Sequence, residues 1–226
     1  MFFVLMLGLG IWQLDRARQK DLRHTRYLAN VAGEPCRELA CLELLIVDPD
    51  APGRRVQQGS PSWLPLRMLL DNQVHHGRAG YLLLQALDTT PAILVQRAFV
   101  EAASERGQTP ALPELSGSAG LEAEIAWSPA TGLQLSAVVE AEPMASGLVR
   151  LQSLDPAILE VLLGRAVAPL VLRELPVGQS GPLRPWRTPG SGADRHRAYA
   201  LQWFTMAAVL AWLYWMHRQR RGRSGS

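Results

Sequence analysis

The chain has 226 residues, a formal net charge of +3 and 48% hydrophobic residues. That length holds one domain with a real core plus flanking segments, and a charge so close to balance excludes a strongly basic nucleic-acid-binding surface. Its two cysteines, Cys36 and Cys41, fall short of the four ligands of a structural metal site, which leaves a local disulfide or two idle thiols.

Met1 to Leu14 is an apolar run interrupted only by Gln13. As a helix it reaches about 21 Å, short of a hydrocarbon core of about 30 Å. No positive charge precedes it and no small-x-small cleavage site follows before "DRARQK", so it is not an ordinary signal peptide. The expectation is a transmembrane helix over residues 1–15 whose leading turns are missing. Arg16, Arg18, Lys20 and Arg23 then fall on the translocated side, against the usual charge bias of membrane proteins.

Residues 16–175 read as a β-rich, extracytoplasmic domain, mainly antiparallel with one short helix. Branched and aliphatic runs recur at 63–71, 80–88, 92–101, 120–127, 133–141, 147–153 and 169–175, separated by turn formers such as Asp71-Asn72 and Thr90-Pro91. In "SLDPAILEVLLGR" Asp155 can cap a helix, Pro156 suits its first position and Gly164 can end it. Residues 176–195 form a tether rich in proline and glycine. No motif of a hydrolase, nucleotide-binding protein or zinc enzyme occurs, so an enzyme is not expected. His75 and His76 read as exposed loop histidines, and Asp48 with Asp50 as a solvated turn.

Residues 196–217 carry the second apolar run. Tyr199 to Met216 is eighteen residues without a charge, about 27 Å of helix, and arginines follow within the tail 218–226. Three readings compete: a core helix of a soluble domain, an anchor without chemistry, and an anchor whose mouth holds a ligand. The uncharged length, the tryptophans near its ends and the arginines favour a transmembrane helix with a cytoplasmic C-terminus.

"LGIWQLDRARQK" (9–20) after one apolar run and "HRAYALQWF" (196–204) entering the other are similar to the paired signatures of the surfeit locus protein 1 family. "GRRVQQGS" (53–60), "LLDN" (69–72), "GRAGYLLL" (77–84) and "ILVQRAFV" (93–100) follow in that family's order. The resemblance implies two transmembrane helices around a β-rich domain in the periplasm, anchored in a bacterial inner membrane. It implies a role in cytochrome c oxidase assembly, supplying haem a to the catalytic subunit. The oxidase subunit, haem a synthase and the bilayer are the partners it implies. The chain departs from the family's pattern at Gly192 to Arg195 before the histidine, at Gln96-Arg97-Ala98-Phe99 and at Leu148 to Leu151.

Both signatures sit at the domain-proximal ends of their helices, so Trp12, Gln13 and Arg16 share a depth with His196, Tyr199, Gln202 and Trp203. His196, Tyr199 and Trp203 share one helix face, as do Trp12 and Arg16. Packed together, the two helices would offer haem a an iron ligand in His196, aromatic walls, and an arginine for a propionate. The plainer alternative is an interfacial aromatic belt with a snorkelling Arg16 and a solvated His196, giving a structural scaffold that stabilises the oxidase subunit without haem.

Overall fold

Helix formation at the N-terminus outlasts apolarity. The first helix, α1, runs Phe2–Val31. Of the seventeen residues 15–31, ten are Arg, Ala, Gln, Lys or Leu, good helix formers whatever their polarity, and neither Gly nor Pro occurs between Gly10 and Gly33. The expected boundary at residue 15 is therefore corrected: charge ends the apolar run but not the helix. The computed structural model describes residues 2–103, 108–115, 120–128, 141–144, 147–176, 183 and 190–223. They fall into two compact units, residues 1–26 with 188–226, and residues 27–187.

In the first unit α1 is joined by a long C-terminal helix, Ala193–Arg223. That helix starts three residues ahead of the expected His196, with Ser191 Oγ accepting from the Ala193 amide at 3.2 Å. It also continues through the arginines expected to form a tail. Of the expected tether, residues 177–182 and 184–189 lie outside the described residues. Among the described residues no helix is long and apolar enough to cross a membrane. Asp15, Arg16 and Arg18 interrupt α1, and the uncharged run of the C-terminal helix is diluted by Gln202, Thr205 and the polar rims of Tyr and Trp.

Among the described residues the second unit is an eight-stranded mixed sheet with two short helices. In chain order its elements are α2 (Leu39–Leu45), β1 (Arg55–Gln58), β2 (Trp63–His75), β3 (Arg78–Leu87), β4 (Ile93–Glu101), β5 (Leu121–Ala126), β6 (Ala141–Met144), β7 (Leu148–Leu151), α3 (Pro156–Leu163) and β8 (Val171–Glu174). The C-terminal helix of the first unit is then α4. Strand order is β1-β5-β8-β4-β3-β2-β7-β6. β2 with β7 and β4 with β8 are parallel, and the remaining pairs are antiparallel.

The α3 helix is as expected: Asp155 accepts from the Ala157 amide at 2.8 Å, Pro156 opens it, and Gly164 ends it in the left-handed region. One short helix becomes two, because α2 is stabilised by tertiary burial of Leu42 and Ile46 rather than by any capping signal. The run 133–141 lies outside the described residues except for Ala141, which opens β6. Asp71-Asn72 is not a turn. β2 continues to His75 through a bulge at which Asn72 adopts φ 59°, a conformation asparagine tolerates. The actual turn is His76-Gly77, both at positive φ, the two-residue hairpin geometry that glycine makes accessible.

The two faces of the sheet carry separate cores. Ile93, Val95, Leu87 and Leu172 pack with Leu42 of α2 and with Ile46 just after it on one face. Leu94, Leu82, Leu84 and Val171 pack with Leu159 of α3 on the other. The alternation breaks once in β4, where Leu83 pairs with Ala98 and Leu84 with Gln96, so Arg97 is the extra residue of a bulge. A bulge re-aims a side chain. Here it turns an arginine inward toward Trp63, and Arg97 is only 2% exposed.

Candidate functional site

The site is built in the helical unit. α1 and α4 run antiparallel: Gly192 lies beside Lys20, His196 meets Gln13, and Gly10 meets Phe204. Their seam is made of small residues at seven-residue spacing, Gly10 and Ala17 on α1, and Ala193, Ala200 and Ala207 on α4, all buried. Small side chains let two helix backbones approach closely. At Gly10 the approach is so close that a Cβ would lie 2.5 Å from the Phe204 ring.

This antiparallel register brings two of the expected site residues into contact. His196 Nδ1 lies 2.6 Å from Gln13 Oε1, both side chains half-buried. In the tautomer that donates Nδ1–H to this amide oxygen, Nε2 keeps its lone pair. A metal-binding histidine is held in just this way, its second nitrogen donating to a neighbouring acceptor that fixes tautomer and ring orientation.

The other expected residues differ in how far they are buried. Trp203 is half-buried, while Trp12, Tyr199, Gln202 and Arg16 are exposed. Arg16 donates along its own helix to Gln19 Oε1 at 2.9 Å, and Gln19 donates to Asp15 at 2.7 Å. Of the expected aromatic walls, Trp12 and Tyr199 are thus exposed and Trp203 is half-buried. Beside it, Arg197 joins the helices a second time by donating to Asp21, and it donates also to Asp194 at 2.8 Å. Among the described residues no group of three or more His, Cys, Asp or Glu could hold a metal ion.

The sheet unit contains polar groups that sequence reasoning did not single out. Arg97 donates to Glu174 and to Gln85 Oε1 at 3.1 Å, with its guanidinium carbon 3.9 Å from the centre of the Trp63 ring. Gln85 donates in turn to the Leu64 carbonyl at 2.9 Å. Across the sheet Tyr27 donates to Glu124 at 3.1 Å, and Arg173 donates to the same carboxylate at 3.1 Å. Burial, then the Glu124 carboxylate, push the Tyr27 phenol up to about 12. The signal for the first network was a charge inside an otherwise apolar strand, "ILVQRAFV". Cys36 and Cys41 are joined in a disulfide, their Cα atoms 5.9 Å apart, where the sequence left two alternatives. His75 ends β2 with its ring 5.4 Å from Phe99, and His76 occupies the exposed turn.

Compared with known families, the chain matches a model described as the SURF1 family over residues 1–208. No curated protein matches it.

Proposed function

We propose, from the premise that the chain belongs to the SURF1 family, that it holds haem a at the His196 end of the α1–α4 pair and presents it to the nascent catalytic subunit of cytochrome c oxidase. The family is associated with cytochrome c oxidase assembly and is generally membrane-associated. The observation that carries the haem reading is the contact between His196 and Gln13. It joins the two family signatures and leaves Nε2 as an iron ligand whose orientation is fixed by its neighbour. Trp12 and Tyr199, both exposed, suit the apolar ring of haem, and Arg16 suits a propionate.

The same reading places the pair across a bilayer as a two-pass hairpin. The outward side chains toward the Phe2 end of α1, among them Phe2, Val4, Leu5 and Ile11, are apolar and exposed, as are Leu201, Val209, Trp212 and Leu213 on α4. Water would penalise so much apolar surface, and lipid removes that penalty. Each helix alone falls short of a span, but the packed pair turns apolar groups outward. The arginines after Met216 then lie in the cytoplasm and the sheet unit outside, a compartment in which the Cys36–Cys41 disulfide would persist.

A second reading rests on those outward rings. Trp12 and Tyr199 are free to meet a partner's helices, which would make the chain a scaffold that stabilises the oxidase subunit without haem. The absorption spectrum of detergent-purified protein from cells that make haem a separates the two. The haem reading expects a stoichiometric haem band, and a colourless protein that still co-purifies with the oxidase subunit would favour the scaffold.

A further inference from the structure

The helical unit has a groove that the haem reading does not use. It measures about 280 Å³ and lies along one flank of α1 beside Arg197. Its floor is Leu14, Ala17 and Leu22, and its charged lining is Arg18, Asp21 and Arg197. That volume falls below the range of about 300–1,000 Å³ typical of sites for drug-sized ligands. It has room for a small headgroup and not for a macrocycle.

Charge decides what would occupy it. Residues 15–26 and 193–197 carry seven basic side chains against three acidic ones. The acids are already engaged: Asp21 and Asp194 both accept from Arg197, and Asp15 accepts from Gln19. Arg16 is turned along its helix to Gln19. Arg18 lines the groove, is exposed, and forms no ion pair among the described residues. The groove begins at Leu14, the last residue of the apolar run, and Arg18 is one turn farther along the helix. Apolar groups therefore lie toward the hydrocarbon and a cation at the depth of lipid phosphates.

We propose that this groove binds the phosphate of an anionic phospholipid headgroup through Arg18, with the lipid's chains descending over Leu14. The proposal rests on the hairpin crossing the bilayer as argued above. It also gives a physical reason for a basic stretch on the translocated side, where charge bias disfavours it: an anionic lipid held there offsets the surplus.

The test uses the full-length protein in phosphatidylcholine nanodiscs containing a trace of fluorescent phosphatidylglycerol or fluorescent phosphatidylcholine. Energy transfer from the protein's tryptophans reports which lipid lies against it. The expected result is a roughly fivefold enrichment of phosphatidylglycerol that depends on Arg18, the fold-change corresponding to one basic side chain near an anionic surface. Arg18→Gln should lose it and Arg18→Lys should keep most of it. The arginines after Met216 are unchanged in both variants, so their own attraction for the lipid cancels in the comparison. Equal transfer from the two lipids, or an enrichment as large in Arg18→Gln as in wild type, overturns the proposal. Displacement of the labelled lipid by inorganic phosphate would assign the groove to free phosphate and overturn the lipid as its occupant. Alkaline carbonate extraction beforehand keeps the two readings apart. Protein released by carbonate removes the two-pass hairpin, whereas protein that stays in the membrane without lipid preference removes only the headgroup site.

Discussion

The two units are packed in opposite senses. In the sheet unit large apolar side chains such as Leu42, Leu70, Leu83 and Ile125 are fully buried, and the buried Arg97, Glu174 and Glu124 sit in partnered networks. In the helical unit the buried seam is glycine and alanine, while Phe, Leu and Trp face outward. A sheet folded against water gains by hiding its largest apolar groups. A helix pair in lipid gains nothing that way, so close backbone contact and a few polar links hold it instead. On the proposed two-pass reading the inversion matches a sheet unit in water and a helix pair in lipid, and it puts His196 at the end of that pair.

The sharpest way to break the sheet side of this contrast is to remove one partner of its buried charge pair. Glu174→Ala leaves the Arg97 guanidinium buried without its carboxylate and should cost about 3–5 kcal/mol in denaturant unfolding of the full chain. Replacing both residues with apolar ones, Arg97→Met with Glu174→Leu, should recover much of that loss. A single variant of native stability would show that the pair does not hold the sheet.

The helical side breaks at Gly10. Gly10→Val drives a methyl group into the Phe204 ring and should cost about 1–3 kcal/mol of helix pairing, seen as a lower thermal transition of the protein in detergent. Gly8→Val is the control, because nothing lies within 4 Å of an added Cβ there. If the two variants melt alike, the close seam is not what joins the helices.

The smallest effect concerns alkaline pH. The Tyr27 phenol is raised from 10.0 to about 12. Between those values the unfolded chain loses the proton and the folded chain keeps it, so stability is full below pH 10 and falls as the pH rises toward 12. Tyr27→Phe should flatten that part of the pH–stability profile. An unchanged slope would mean that another group titrates there.

What the sequence made legible follows from how local each signal is. α3 was readable because Asp155, Pro156 and Gly164 act on their own neighbours. The cores of β2, β3 and β4 were readable because burial on both faces leaves long apolar runs. α2 was not, since its helix depends on what Leu42 and Ile46 meet across the sheet. The bulge at Arg97 was hidden for the same reason: it exists only in the register of β4 against β3. At the candidate site the sequence put Gln13 and His196 at one depth, but helical spacing cannot set the rotation of one helix against another. It therefore left the exposure of the expected aromatic walls open, and in the structure Trp12 and Tyr199 are exposed while Trp203 is half-buried.

That contact bears the central claim, that His196 held by Gln13 is the haem ligand, and one set of spectra tests it. Wild type, His196→Ala and Gln13→Leu would be purified in parallel from cells making haem a, and haem per chain measured by absorption. The account predicts a stoichiometric band in wild type and none in His196→Ala at equal protein yield. For Gln13→Leu it predicts binding weaker by about 10–100-fold, the usual effect of losing the partner that orients a ligand. A His196→Ala protein that keeps a stoichiometric, unshifted haem band would contradict it.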